Sequence, residues 1–172
     1  MPQPQAFMSY AHIDDRHRRL TQFRRELSDE VRVHLGREFS IFQDWNDIGW
    51  GQNWKARIQQ SLEQEAIFLI PILSPSFFNS EPCQAELRAF LDKETNLGRD
   101  DLVLPVYYVD CPLLYDQAAL ANNDLARTIA TRQSADWREL RTKYFNTPVV
   151  MNALVALAKK IRDALARVRA QN

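Results

Sequence analysis

The residues Ala66-Ile-Phe-Leu-Ile-Pro-Ile-Leu73 run straight into Ser74-Pro-Ser-Phe-Phe-Asn-Ser-Glu-Pro-Cys-Gln-Ala-Glu-Leu87. The first run is apolar at every position, as a strand buried on both faces of a parallel sheet must be. Pro82 and its successors read as the first turn of a helix, where a missing N–H costs nothing. At about 100° per residue, Cys83, Leu87, Phe90, Leu91 and Glu94 share one face, and Glu86 lies on the border of that stripe close to Phe90. An acid is thereby held beside apolar neighbours at the carboxyl end of a strand, where open α/β sheets place their ligand sites. The blander reading stands beside it: most helical glutamates are solvated or paired.

Working outward, Ala6–Ser9 is a short apolar strand. Asp14 or Asp15 caps a helix whose apolar positions Leu20, Phe23, Leu27 and Val31 recur at helical spacing, and Gly36 stops it. Phe39–Gln43 reads as the next strand. Asp44–Asn53 is a loop with Gly49 and Gly51, followed by a helix that buries Trp54, Ile58 and Leu62. On the other side, the helix from Pro82 runs to Asn96 and ends at Gly98. Leu102–Val109 is a further strand, with Pro105 pointing to an edge or a local bulge. Strand and helix alternate four times with short connections, the pattern of a parallel sheet covered by helices. Beyond residue 110 the periodicity blurs. Asn122–Ser134 reads as helical, with Leu125 and Ile129 four apart, and Ala135–Leu140 as a short strand or turn. Thr147-Pro148 opens a terminal helix over 147–168 on Val150, Leu154, Leu157, Ile161 and Leu165.

The chain has 172 residues, so one domain spanning 1–172 is expected, with residues 1–5 frayed. Lys plus Arg and Asp plus Glu are each 22, so no overall basic field exists to hold nucleic acid or an anionic membrane. The longest apolar run, Ala66–Leu73, is far short of the roughly 20 residues of a membrane span. No basic start with an apolar segment marks a signal peptide. Cys83 and Cys111 are too few and too isolated for a disulfide framework or a zinc site, so a reducing, cytoplasmic setting is expected. Zero net charge offers little resistance to self-association.

Other candidates weigh less. Trp54 starts an apolar stripe and reads as core. Trp50, between two glycines, faces either a partner or ligand, or folds back on the domain. His12, His17 and His34 share no metal-ligand spacing with any Cys or carboxylate cluster, and read as solvated. Ser74 and Ser76 lack a nucleophile elbow. Cys83 sits near a helix N-terminus, which lowers a thiol pKa, but also on the apolar stripe, where an inert buried thiol is the default. No glycine-rich dinucleotide fingerprint or phosphate loop is present.

Several fragments occur in a telling order: Ala6-Phe-Met-Ser-Tyr-Ala-His12 with Asp14; Ile41-Phe-Gln-Asp44; Asp47-Ile-Gly-Trp-Gly-Gln-Asn-Trp54; Phe68-Leu-Ile-Pro-Ile-Leu-Ser-Pro-Ser-Phe-Phe78; Cys83-Gln-Ala-Glu-Leu87; and Leu104-Pro-Val-Tyr-Tyr108. Each is weak alone, but together over about residues 6–110 the chain resembles a TIR (Toll/interleukin-1 receptor) domain of the type found in bacterial defence proteins. Asp136-Trp-Arg-Glu-Leu140 and the terminal helix look similar, less specifically.

The resemblance implies a flavodoxin-like fold, a five-stranded parallel sheet with helices on both faces. It also implies one of two functions. Many relatives cleave NAD between nicotinamide and ribose, giving ADP-ribose or cyclic variants, with NAD as substrate and no metal or cofactor. Others are non-enzymatic adaptors that act by homotypic TIR–TIR contact. Nucleotide binding without turnover is a third possibility. In the enzymes the essential glutamate begins the helix after the third strand, a place matched here by Glu86. Ser9 and Tyr10 match the pocket floor, with Cys83 alongside. Asp44, Trp45, Gly49, Trp50 and Gly51 match the loop over the nucleotide. Self-association and a sensor domain fused in a longer parent protein are typical of relatives. Two departures stand out: Pro82 occupies the place of a tryptophan in several NAD-cleaving members, and Ala11-His12 the place of a basic residue in some.

Overall fold

A computed structural model describes residues 5–43 and 67–170. Its sheet has five parallel strands, β1 (Ala6–Ser9), β2 (Ile41–Phe42), β3 (Phe68–Leu73), β4 (Val106–Tyr107) and β5 (Ala135–Asp136), in the order β2-β1-β3-β4-β5. The described helices are α1 (Arg19–Leu35), α2 (Pro75–Phe78), α3 (Glu81–Leu97), α4 (Gln117–Ala121), α5 (Asp124–Ala130) and α6 (Pro148–Ala170), with short 3₁₀ turns between some of them. The parallel, helix-covered sheet expected from the alternation is the architecture the chain adopts.

Strand parity sorts the core into two layers. Side chains alternate faces along a strand, so Ala6, Met8, Ile70 and Ile72 meet α1 and α6, while Phe7, Leu69 and Leu73 meet α3 and α5. On the first face Leu20, Phe23, Leu27 and Val31 of α1 pack against α6, which buries Val150, Leu154, Leu157, Ile161 and Leu165. Trp137 seals this layer edge-on to Phe23, with ring centres 4.9 Å apart. Each large apolar side chain so buried contributes about 1.5–3 kcal/mol. The terminal helix read from the sequence is therefore one wall of the core.

Helix ends follow the punctuation of the chain. Gly36 (φ 65°) and Gly98 (φ 62°) take the left-handed conformation that closes α1 and α3. The start of α1 is less direct. His17 and Arg18 both have positive φ, 54° and 56°, so the helix begins only at Arg19. Asp15 still caps it from a distance: its carboxylate accepts from the Leu20 N–H (2.8 Å), the Thr21 N–H (3.1 Å) and the Thr21 hydroxyl (2.7 Å).

Two expectations change. Pro105 directly precedes β4, an interior strand with β3 on one side and β5 on the other, so it interrupts the strand expected over Leu102–Val109 rather than marking an edge. The pairings Leu69↔Val103 and Leu73↔Tyr107 set Pro71 opposite Pro105. Pro71 lacks a donor on the β4 side, whereas the Pro105 carbonyl accepts from the Ala135 N–H (2.9 Å), so its missing donor falls on the β5 side. The helix expected over Asn122–Ser134 is the shorter α5, which begins only after Asn123, whose side chain caps it by accepting the Ala126 N–H (2.9 Å), while α4 forms just before it where no element was expected. Asparagine competes with the helical backbone and favours such caps. The helix expected to bury Trp54, Ile58 and Leu62 falls outside the described residues.

Candidate functional site

The strand order creates a switch point. The chain leaves β1 for β2 on one side and returns to β3 on the other, and the carboxyl ends at such a point are where open α/β sheets bind ligands. Ser9 is the last residue of β1 and has the parity of Phe7, so it faces the α3 layer. There its hydroxyl donates to the carboxyl Oε2 of Glu86. Both groups are buried, Ser9 with 1% and Glu86 with 5% of its surface exposed. Burial pushes the Glu86 carboxyl up to about 8, against the smaller opposing effect of the Ser9 hydrogen bond. Burial therefore favours the protonated, neutral carboxyl, and a positive charge brought beside it would favour the ionised form.

Glu94, on the same helix, shows what a structural glutamate looks like here. It is as buried as Glu86, but it meets the Arg132 guanidinium at 2.6 Å and accepts the Leu102 and Val103 N–H groups at 2.9 and 3.2 Å. No cation pairs with Glu86 among the described residues.

Cys83 lies one turn before Glu86. Burial, assisted by the Glu86 charge, pushes its thiol up to about 11, while the Ser80 hydrogen bond opposes the shift. Cys83 is therefore a neutral, inert thiol, and the helix N-terminus does not activate it. Tyr10 parts from Ser9. Its parity turns it to the α1 layer, where its hydroxyl accepts from Gln43 Nε2 (3.1 Å), and Gln43 also bonds Thr21 and Arg24. Pro82 is exposed on the first turn of α3.

A second carboxyl–hydroxyl pair lies beside the first. Asp14, in the turn after β1, accepts from the Ser74 hydroxyl, and Ser74 in turn accepts the Phe77 N–H (3.0 Å) and so caps α2. Ser74 is fully buried, and burial raises the Asp14 carboxyl above its ordinary value. The sequence reading weighed Ser74 only as a nucleophile. Its signal was the Ser-Pro pair, cap followed by proline at the first helical position, and Ser80-Glu81-Pro82 repeats it at α3.

The TIR-domain family profile matches residues 7–146, most of the chain. This chain belongs to the TIR-domain family. Two solved structures share the fold. TIR domains in the activated Roq1 resistosome, which directly recognises the pathogen effector XopQ, are 17% identical with a TM-score of 0.59, over 92% of this chain and 99% of theirs. The TIR domain of the Toll-related receptor TRR-2 from Hydra magnipapillata is 18% identical with a TM-score of 0.52, over 90% of this chain and 97% of its own. No curated protein matches.

Within this TIR domain, the loop residues Asp44, Trp45, Gly49, Trp50 and Gly51 lie outside the described residues. Among the described residues no group of three His, Cys, Asp or Glu side chains is gathered to hold a metal ion, and no helix is long and apolar enough to cross a membrane.

Proposed function

We propose that this TIR domain cleaves NAD+ between nicotinamide and ribose, as an NAD glycohydrolase or ADP-ribosyl cyclase of the bacterial defence type, activated by self-assembly in the cytoplasm. The observation that supports this is the burial of Glu86 at the switch point, bonded to Ser9 and with no cation paired to it among the described residues. A buried carboxyl ordinarily has a positive partner, as Glu94 has Arg132. A site that lacks one suits a cationic ligand.

The chemistry asks little more of the chain. The nicotinamide ring of NAD+ carries a positive nitrogen and departs as a neutral molecule, so no general acid is needed. The ribose left behind passes through an oxocarbenium-like state, as in glycoside hydrolysis. Glu86, ionised as that charge arrives, accepts from the ribose hydroxyls and stabilises the cation in a site shielded from water. Ser9 orients the carboxyl from the strand end, and Cys83 forms part of the apolar floor. Asp44, Trp45, Gly49, Trp50 and Gly51, outside the described residues, are assigned to nucleotide binding on the family resemblance alone. Water captures the cation to give ADP-ribose, or an internal nucleophile gives a cyclic product.

The test is nicotinamide release from NAD+ by concentrated wild-type protein beside Glu86→Gln and Glu86→Ala. The reading expects turnover in the wild type alone. A Glu86→Gln variant as active as wild type would sink the assignment of Glu86, and a wild type that releases no nicotinamide even when assembled would sink the enzymatic reading.

A further inference from the structure

The hydrogen bonds around Glu86 form a closed ring, and its far side has no role in the function proposed above. From Ser9, the ring passes through the Glu86 carboxyl into α3. At the start of α3 the Ser80 side chain accepts the Cys83 N–H (3.4 Å), and the Gln84 side chain donates to the Phe78 carbonyl (2.5 Å). The Ser80 N–H donates to the Phe77 carbonyl (3.2 Å), which ties α3 to α2 across only Asn79 and Ser80. The α2 turn is capped by Ser74, and Ser74 donates to Asp14, five residues beyond Ser9. The ring thus closes on β1 from both ends.

A four-residue turn such as α2 has little stability of its own. Phe77 and Phe78 anchor it in the core, and its first turn is fixed by the buried cap at Ser74, whose hydroxyl is aimed by its bond to Asp14. We propose that Asp14 is a positioning residue: through Ser74 it locks α2 and the first turn of α3, and so sets where Glu86 stands relative to a bound substrate. The assignment rests on the reading of Glu86 as the catalytic carboxyl. Loss of the bridge frees the α2–α3 corner, and a shift of the reacting geometry by about 1 Å costs up to about a hundredfold in rate.

Asp14→Ala, Asp14→Asn, Ser74→Ala and the Asp14→Ala/Ser74→Ala double variant test this with two readouts. The first is amide exchange at Phe77 and Cys83, followed by NMR, which needs no turnover. In Asp14→Ala it should quicken by about tenfold or more, while the α6 amide of Leu157 keeps its wild-type rate. The second is NAD+ cleavage, where kcat should fall by about tenfold with KM within about threefold. Asp14→Asn keeps an oxygen that accepts from Ser74 and should rescue both readouts. The double variant should be no worse than the worse single one, because both remove the same bridge. Unchanged exchange in Asp14→Ala, additive losses in the double variant, or an Asp14→Asn as impaired as Asp14→Ala would each overturn the proposal. A wild type that cleaves no NAD+ overturns the catalytic reading instead, and the exchange data still decide whether Asp14 holds the corner.

Discussion

Glu86 and Glu94 are two buried acids on one helix with opposite surroundings, one facing a serine and the other an arginine. The difference sets what each residue does. If Glu86 stabilises a ribosyl cation, Glu86→Gln should lower kcat by about 10²–10³, the loss typical of removing one transition-state electrostatic group, with the fold intact by circular dichroism; nicotinamide release measures it. Stability should titrate as well. The Glu86 carboxyl moves from an ordinary 4.5 to about 8 on folding, because burial penalises its charge. Folding therefore favours the protonated form. That contribution is fully present below pH 4.5 and is lost as pH rises through about 8. Between those limits wild type should lose stability relative to Glu86→Gln by up to about 1.4 kcal/mol per pH unit, read from urea unfolding at stepped pH. The acid and its place on the stripe's border were legible from helical spacing. Its partner was not, because Ser9 lies 77 positions away in sequence and meets it only through strand pairing.

At the level of elements, α3 is both a wall of the core and the carrier of the site, and its far end is pinned by Glu94. That carboxylate accepts two backbone N–H groups leading into β4 and pairs with Arg132. Glu94→Ala leaves those two donors without an acceptor and strips the half-buried Arg132 guanidinium of its carboxylate, so unfolding in urea should show a loss of about 3–5 kcal/mol, the range for breaking a buried pair. The start of α1 makes a smaller prediction. Asp15 gathers three donors that would otherwise be orphaned behind the left-handed His17 and Arg18. Asp15→Ala should cost about 1 kcal/mol, seen as a lowered melting temperature. Helix termination at Gly36 and Gly98 was readable residue by residue, since glycine takes positive φ freely. The length of α5 was misjudged because Leu125 and Ile129 mark its apolar face but not its ends, and the Asn123 cap sets where it starts.

For the whole molecule, the order β2-β1-β3-β4-β5 brings the ends of β1 and β3 together and leaves a single switch point among the described strands. The described residues proposed for catalysis lie there: Ser9, Cys83, Glu86 and the Asp14–Ser74 bridge. With 22 cationic and 22 anionic residues, the chain has no net charge to oppose the approach of a second copy. If assembly activates the enzyme, specific activity should rise with protein concentration and with crowding agent, and light scattering should register larger species over the same range. A dilute monomer with full specific activity would remove assembly from the mechanism.

Local chemistry was enough to specify the helix-covered parallel sheet. Apolar runs, helical spacing, caps and glycine stops act over a few residues, so their consequences are written in consecutive positions. The site was only half written there. Glu86 stood out as an acid in apolar company, yet nothing within a turn of it distinguishes a paired acid from an unpaired one. Folding made that distinction, by setting Ser9 against Glu86, Arg132 against Glu94 and Asp14 against Ser74. Each pair joins elements that are remote along the chain, and the electrostatics of a buried carboxyl depend on which charge or hydroxyl the tertiary structure places within a few ångströms of it.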